Sequence, residues 1–232
     1  MASDIKKPMV LDFFGLPGCG KSTVSHLLAI KLRKEGYKVY EPSYDLDHTM
    51  NAVKRKVVKM CQYIVYVILH PIKAKKIDAL IKQNGYEDFS EKLSQCINIV
   101  SKFNAIDKNG YDFIIFDEGF FQAAVSLSLV NDRVLSFENL HMMLDAVDPT
   151  IRICGVYIQV SKDVSLERMS KRGEKNSRID AQTNESVKLR LLENFSENCK
   201  KLHPEADCII DASGNIEDVF NRLYDQVNQF SM

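Results

Sequence analysis

The segment GLPGCGKST, residues 15–23, has the residue types and the spacing of a phosphate-binding loop. Glycines allow unusual backbone dihedral angles, so backbone N–H groups can approach phosphate oxygens without side chains in the way. Lys21 can bring a positive charge to the β and γ phosphates of a nucleotide, and the Ser22 hydroxyl can ligate Mg²⁺. The predicted nucleotide-binding residues of this loop are Gly15, Leu16, Pro17, Gly18, Cys19, Gly20, Lys21, Ser22 and Thr23.

The residues on both sides of the loop favour this interpretation. Residues 10–14 before it are mostly apolar, as in a buried strand. After it, Val24, Leu27, Leu28 and Leu32 fall near one helical face, and Gly36 is a helix stop signal. The motif requires a strand, a glycine loop and a helix in this order. The alternative is an ordinary strand-to-helix turn with incidental glycines.

Acidic residues stand at the ends of two further predicted strands, where ligands gather in a parallel sheet. Asp117 closes the apolar run 113–117 and can approach Mg²⁺ directly or through water. Glu118 could orient or deprotonate a nucleophile, or it could simply begin the next helix, where acids are favoured. Glu41 ends the predicted strand 37–41. We therefore expect catalytic roles for Glu41, Asp117 and Glu118 beside Lys21.

Three arginines surround a polar stretch near the C-terminal third of the chain. Arg168 and Arg172 are four residues apart in a predicted helix and share a face, and Arg178 follows the stretch. Guanidinium groups stabilise the negative charge that spreads over a phosphoryl group in transfer. The set therefore indicates a phosphate clamp, and the alternative for any one of the three is a solvated helix face.

Strands and helices alternate along the remaining chain. Strands are predicted at 151–160 and 208–211, and helices at 161–171 and 215–229. This alternation favours a parallel sheet with crossover helices in an α/β protein. Between the second and third strands, residues 44–110 are too many for a structureless loop, and several helices with breaks near Pro71 and Gly85 are expected there.

The bulk composition excludes several classes of protein. The 232 residues suit one globular domain, residues 1–232, and 45% of them are hydrophobic. Lys plus Arg and Asp plus Glu both total 31, so we expect no nucleic-acid partner. No apolar stretch approaches the roughly 20 residues that a membrane span needs, so no membrane partner is expected. Without a secretory leader or metal-type cysteine spacing, a cytoplasmic protein is predicted, and a homodimer is left open.

The segments GLPGCGKST, EPS, FDE, LERMSKRGEKNSRID and IIDASGNIEDVF resemble the thymidylate kinase and deoxynucleoside kinase group of P-loop kinases. The resemblance covers about 9–43, 111–120 and 151–230. It implies a three-layer P-loop NTPase fold, with a parallel sheet between two layers of helices, ATP as donor and Mg²⁺. It also implies a LID at 168–182 with Arg172 and Arg178 near the phosphates, and Arg168 near the adenine.

The residues that bind the phosphoryl acceptor in that group are different in this chain. Thymidylate kinases carry arginine where this chain has Tyr40, and both branches carry arginine after the acid of the third strand, where this chain has Gly119 and Phe120. In the inserted region Arg55 and Lys59, four residues apart, could hold an anionic acceptor or could be a solvated face. If the acceptor is a hydroxyl, Glu41 stands where nucleoside kinases have their base.

The favoured function is transfer of the γ-phosphoryl group of ATP to a small anionic or hydroxyl-bearing acceptor. A P-loop ATPase or nucleotide-dependent switch is the alternative, favoured by the adjacent acids Asp117 and Glu118. A binding module without turnover is the third reading, and it would have little use for the clamp arginines.

Overall fold

The computed structural model describes residues 7–108, 110–129, 136–171, 179 and 182–230. Within them the chain alternates strands and helices as predicted. The strands are β1 (Met9–Phe14), β2 (Val39–Tyr40), β3 (Phe113–Phe116), β4 (Ile153–Gln159) and β5 (Cys208–Asp211). The helices are α1 (Lys21–Lys34), α2 (Pro42–Thr49), α3 (Ala52–Leu69), α4 (Pro71–Gln83), α5 (Phe89–Ile106), α6 (Phe120–Leu127), α7 (Ser136–Leu144), α8 (Lys162–Ser170), α9 (Glu185–Leu202) and α10 (Ile216–Phe230).

The five strands form one parallel sheet in the order β2-β3-β1-β4-β5. β1 and β3 at its centre read MVLDFF and FIIF, and nearly every residue of both is buried. Strands covered on both faces are expected to be almost continuously apolar, so the sequence explains why these two are central. The edge strand β2 has only two paired residues and is shorter than the predicted strand 37–41, and α2 begins at Pro42.

Two groups of helices cover the sheet. α1 packs on β1, β3 and α10, and α10 also packs on β5. α6 packs on β1 and on α7 and α9, which contact each other. This arrangement of helix, sheet and helix confirms the predicted three-layer α/β fold. Most of the predicted LID, 168–182, lies outside the described residues.

The region between β2 and β3 is helical, as predicted. It contains α2, α3, α4 and α5, and α3, α4 and α5 pack on one another. α3 ends at Leu69, one residue before α4 begins at Pro71, and Gly85 with φ of 81° follows the end of α4. Among the described helices none is by itself long and apolar enough to cross a membrane. Only Val53–Leu69 and Pro71–Gln83 together, bent by 117°, meet that criterion of length and composition.

Candidate active site

The glycines of the loop between β1 and α1 are required by its shape. Gly15, Gly18 and Gly20 have φ of 148°, 79° and 99°, in the region that side chains disfavour. A Cβ on Gly15 would lie 2.4 Å from the carbonyl oxygen of Ile158 in β4, and one on Gly18 would lie 3.0 Å from that of Ser165 in α8. The loop is therefore packed closely between β4 and α8, and only glycine fits these positions.

Lys21 begins α1 and points back into the loop. Its ammonium donates hydrogen bonds to the carbonyl oxygens of Gly15 and Leu16 at 3.0 and 3.2 Å. The first turn of α1 contains no acidic residue, and its N-cap Gly20 has no side chain to bond the first N–H groups. The positive end of the helix and the Lys21 charge therefore face the same loop, an arrangement that suits an anionic phosphate chain.

Ser22 and Asp117 meet at the carboxyl end of the sheet. The Ser22 hydroxyl donates to Asp117 Oδ2 at 2.9 Å, although 95 residues separate them in the chain. A hydroxyl and a carboxylate oxygen are the hard ligands that Mg²⁺ prefers, and Mg²⁺ usually takes few protein ligands beside water and phosphate. The two side chains fit the predicted metal role. No cluster of three or more His, Cys, Asp or Glu side chains suited to a metal occurs within the described part of the chain.

Asp12, in the middle of β1, is fully buried and caps α6. Its Oδ2 accepts hydrogen bonds from the backbone N–H groups of Phe120 and Phe121 at 2.6 and 3.3 Å. Burial raises the pKa of Asp12 to about 7, although these bonds and the nearby Lys102 charge act in the opposite direction. Asp12 therefore fixes the chain directly after Asp117, Glu118 and Gly119.

The same helix is also tied to the phosphate-binding loop. Gln122 in α6 accepts a hydrogen bond from the backbone N–H of Gly15 at 3.1 Å through its Oε1. The start of α6 is thus held from β1 by Asp12 and from the loop through Gln122. This double attachment sets the position of Glu118, which lies between Asp117 and α6.

Glu118 lies where two cavities meet. One cavity, about 460 Å³, runs along the phosphate-binding loop and is lined by Gly18, Lys21 and Ser22 among others. The other, about 750 Å³, lies between α3, α5 and the end of β3. Glu118 and Asn98 line both cavities. A group bound in the larger cavity would therefore meet a nucleotide phosphate beside Glu118.

Among the described residues, the larger cavity is lined by more cations than acids. The cations are Arg55 and Lys59 of α3, Lys102 of α5 and Lys108, and the acids are Asp117 and Glu118. Burial lowers the pKa of Lys102 to about 8, and the Lys59 charge lowers it further, whereas Glu118 and Asp12 raise it. Burial and the Arg55 charge lower the pKa of Lys59. The predicted anion-binding residues Arg55 and Lys59 thus face a cavity and not only solvent.

Glu41 contacts other side chains of the protein more closely than its predicted role as a base requires. Its carboxylate is buried, accepts a hydrogen bond from Arg33 Nη1 at 2.6 Å and lies 3.0 Å from His26 Nδ1. It lines a small cavity of about 210 Å³ together with Ser22 and Asp117, and of these three only Asp117 also lines the larger cavity. The base role of Glu41 stays a prediction, and its contacts favour a positioning role for it.

Arg168 connects the phosphate-binding loop to the end of the sheet. Its guanidinium donates to the carbonyl oxygens of Cys19 at 3.2 Å and of Ala212 at 2.8 Å. It borders a cavity of about 390 Å³ on the outer side of the loop, which Gly214 and Ile216 also line. The predicted clamp residues Arg172 and Arg178 lie outside the described residues, whereas Ile179 is buried and lines the loop cavity.

Four side chains of this site were not predicted from the sequence. His26 and Arg33 lie in α1 and read as ordinary helix residues, yet both contact Glu41. Lys102 reads as one more surface lysine of a long helix, yet its side chain is 5% exposed. Gln122 contacts the loop only because α6 crosses beside β1. Helical periodicity could have placed Lys102 near the buried face of α5, beside Ile99, Phe103 and Ile106.

No protein-family model matches the chain, and no curated protein matches it. Solved structures of other proteins do match the chain. One is a deoxyadenosine kinase from M. mycoides with the products dCMP and a flexible dCDP bound, at 16% identity and a TM-score of 0.54, covering 96% of this chain and 100% of that one. Another is a shikimate kinase from Acinetobacter baumannii in complex with shikimate, at 14% identity and a TM-score of 0.53, covering 98% and 94%. At these identities the likeness shows the fold, which is that of P-loop kinases. The finer resemblance to thymidylate kinases stays a prediction.

Proposed function

We propose that the chain is a phosphotransferase that moves the γ-phosphoryl group of ATP to a small-molecule acceptor in the presence of Mg²⁺. The observation that carries this proposal is the pair of cavities that meet at Glu118 and Asn98. One of them follows a loop suited to phosphates, and the other is large enough for a second small molecule. A hydrolase that uses water as nucleophile has no need for the second cavity.

In this proposal each part of the donor site has one role. Lys21 binds the β and γ phosphates, and the backbone N–H groups of the loop bind their oxygens. Ser22 and Asp117 would hold Mg²⁺, which when bound neutralises charge on the phosphates. Arg168, by resemblance, borders the adenine, in the cavity that contains Gly214 and Ile216.

The transfer step needs an acceptor oxygen in line with the γ phosphorus. The acceptor oxygen forms a bond to that phosphorus while the bond to the β–γ bridging oxygen breaks, and ADP leaves. When the acceptor is a hydroxyl, Glu118 takes its proton, because among the described residues it is the acid that lines both cavities. Arg172 and Arg178 are proposed to stabilise the charge on the moving group, as the resemblance implies.

The acceptor class to test first is nucleosides and nucleotides. The sequence segments that resemble the thymidylate and deoxynucleoside kinase group support this choice. The solved kinases with the same fold also act on small molecules by their names, a deoxynucleoside in one case and shikimate in the other. Hydroxy acids of the size of shikimate therefore belong in the same panel.

An ATPase or nucleotide-dependent switch is the second candidate. It is favoured by the position of Glu118 in the loop cavity, where it could orient a water toward the γ phosphate. Such a protein would hydrolyse ATP steadily without any added compound. Its hydrolysis would be lost in Glu118→Gln, since the amide cannot accept a proton from water.

One assay separates the two candidates. ADP release is followed for the purified chain with Mg²⁺ and ATP, alone and with each compound of a panel of nucleosides, nucleotides, sugars and hydroxy acids. A kinase shows a low basal rate that rises sharply with one compound, and Lys21→Ala abolishes the rise. A rate that no compound changes and that Glu118→Gln abolishes would establish the ATPase instead.

A further inference from the structure

The positive charge around the larger cavity is a local feature of the fold. The whole chain has equal numbers of basic and acidic side chains, 31 of each. Among the described residues around this cavity, however, the lining cations are Arg55, Lys59, Lys102 and Lys108, and the lining acids are Asp117 and Glu118. A cavity lined by an excess of one charge concentrates ligands of the opposite charge.

Lys102 is the most deeply placed of these cations. Its ammonium donates to Asn98 Oδ1 at 2.9 Å, one turn earlier in α5, and the side chain is 5% exposed. Burying an ammonium group without an opposing charge costs free energy. Across the described ranges of the chain, neither Lys102 nor Lys59 has a carboxylate within ion-pair distance, so their charge is not neutralised by a salt bridge there.

The two described acids that line the cavity, Asp117 and Glu118, both lie toward the phosphate-binding loop. Asp117 accepts the hydrogen bond from Ser22 on the side of the phosphate-binding loop. Glu118 lies at the junction between the two cavities. Neither forms a salt bridge with Lys59 or Lys102 in the described structure, although both acids raise the pKa of each lysine through space.

Lys59 and Lys102 face the cavity from different helices. Lys59 lies on α3 and Lys102 on α5, and these helices pack on each other. Lys59 lowers the pKa of Lys102, and Arg55 lowers that of Lys59, so the cations repel one another at this short range. An anion between them would offset that repulsion and supply the close negative charge that no salt bridge supplies among the described residues.

We propose that the phosphoryl acceptor carries an oxyanion, a phosphate or a carboxylate, and that Lys59 and Lys102 bind it in the larger cavity. This inference rests on the proposed phosphotransferase function, because it assigns the cavity to the acceptor. The volume of about 750 Å³ accommodates the anionic group and the rest of a small molecule. Holding the anion at these lysines leaves another part of the acceptor, or an oxygen of the anion itself, beside Glu118.

The position of these cations also explains why this chain lacks the acceptor-binding arginines of the thymidylate and deoxynucleoside kinase group. The chain lacks arginine at Tyr40 and after Asp117 and Glu118, where that group binds its acceptor. Tyr40 instead lines the larger cavity, with the Lys108 ammonium 3.9 Å from the centre of its ring. In this chain the cations that bind the anion are therefore Lys59 on α3 and Lys102 on α5.

The experiment isolates the second site by filling the first. The full chain is saturated with Mg²⁺ and a non-hydrolysable ATP analogue, which occupies the phosphate-binding loop. Inorganic phosphate and acetate are then titrated separately in a calorimeter. We expect uptake of one anion per chain, weakened at least tenfold in Lys59→Gln and in Lys102→Met. Lys56→Gln, an exposed lysine of the same helix outside the cavity, should bind as the wild type does.

The outcomes separate the ligand chemistries and the two proposals. Uptake of phosphate alone assigns a phosphorylated acceptor, and comparable uptake of acetate assigns a carboxylate. Absence of uptake of both anions, or equal binding by all three variants, overturns the inference. If the ATP analogue itself does not bind, the proposed function fails first. Because Lys102 is buried, thermal unfolding is measured for its variant, and the half-buried Lys59 gives the independent test.

Discussion

Replacing Gly119 by alanine should damage the protein through its contact with Asp12. A Cβ at this position would lie 2.3 to 2.4 Å from the three carboxyl-group atoms of Asp12. Gly119 has φ of −93°, which is not left-handed, so the main obstacle to a side chain there is this contact with Asp12. The carboxylate is packed inside the sheet and cannot move into solvent.

The size of the effect follows from the hydrogen bonds that would be lost. Asp12 must leave the N–H groups of Phe120 and Phe121, or α6 must move away from β1. A buried donor without a partner costs about 1–3 kcal/mol, so Gly119→Ala should lower the free energy of unfolding by roughly 2–4 kcal/mol. The displaced start of α6 should also shift Asp117 and Glu118 and reduce turnover.

Urea denaturation of the wild type and two variants measures this effect. The control is Gly214→Ala, because a Cβ there would meet only Arg222 Nη2, at 3.9 Å. Its free energy of unfolding should stay within about 0.5 kcal/mol of the wild type. If Gly119→Ala were as stable as Gly214→Ala, the placement of Asp12 against the start of α6 would be refuted.

Three further predictions concern Asp12, Arg33 and Arg168. The folded pKa of Asp12 is about 7 against an ordinary value of 3.8, so the folded state holds a proton that the unfolded state releases. The wild type should therefore lose stability relative to Asp12→Asn as pH rises from 4 to 7, by up to about 1.4 kcal/mol per pH unit, and the difference should be constant above pH 7. A pH-independent difference in urea denaturation would contradict this. Arg33→Met leaves the buried Glu41 carboxylate without its charged donor and should lower the melting temperature by several degrees in calorimetry, whereas Arg33→Lys should restore part of the loss. Arg168→Met removes the bonds to Cys19 and Ala212 and should raise the KM for ATP about tenfold in steady-state kinetics, and an unchanged KM would remove Arg168 from the nucleotide site.

The donor side of the site could be predicted from the sequence because its signals are local. The spacing from Gly15 to Ser22 defines the loop by itself. Asp117 could be paired with Ser22 because the carboxyl ends of parallel strands meet at one edge of the sheet. The parallel sheet and the helices between β2 and β3 followed from alternating apolar patterns and from the length of the connection.

The contacts around the larger cavity could not be predicted from the sequence in the same detail, because they join elements that are distant in the chain. Whether Lys102 faces solvent or a cavity depends on how α5 packs on α3, which periodicity does not state. Asp12 reads as an anomaly in a strand until α6 is placed with its N-terminus against β1. The pairing of Glu41 with Arg33 and His26 likewise depends on the short edge strand β2 ending beside α1.

The most direct test follows the γ phosphorus itself. The full chain is incubated with Mg²⁺ and ATP labelled in the γ phosphate, with and without the compound that most stimulates ADP release, and the products are separated by anion-exchange chromatography. A phosphotransferase moves the label to the added compound, with little released as inorganic phosphate, and Lys21→Ala should transfer none. Label found only in inorganic phosphate, at the same rate with every compound, would contradict the proposed transfer.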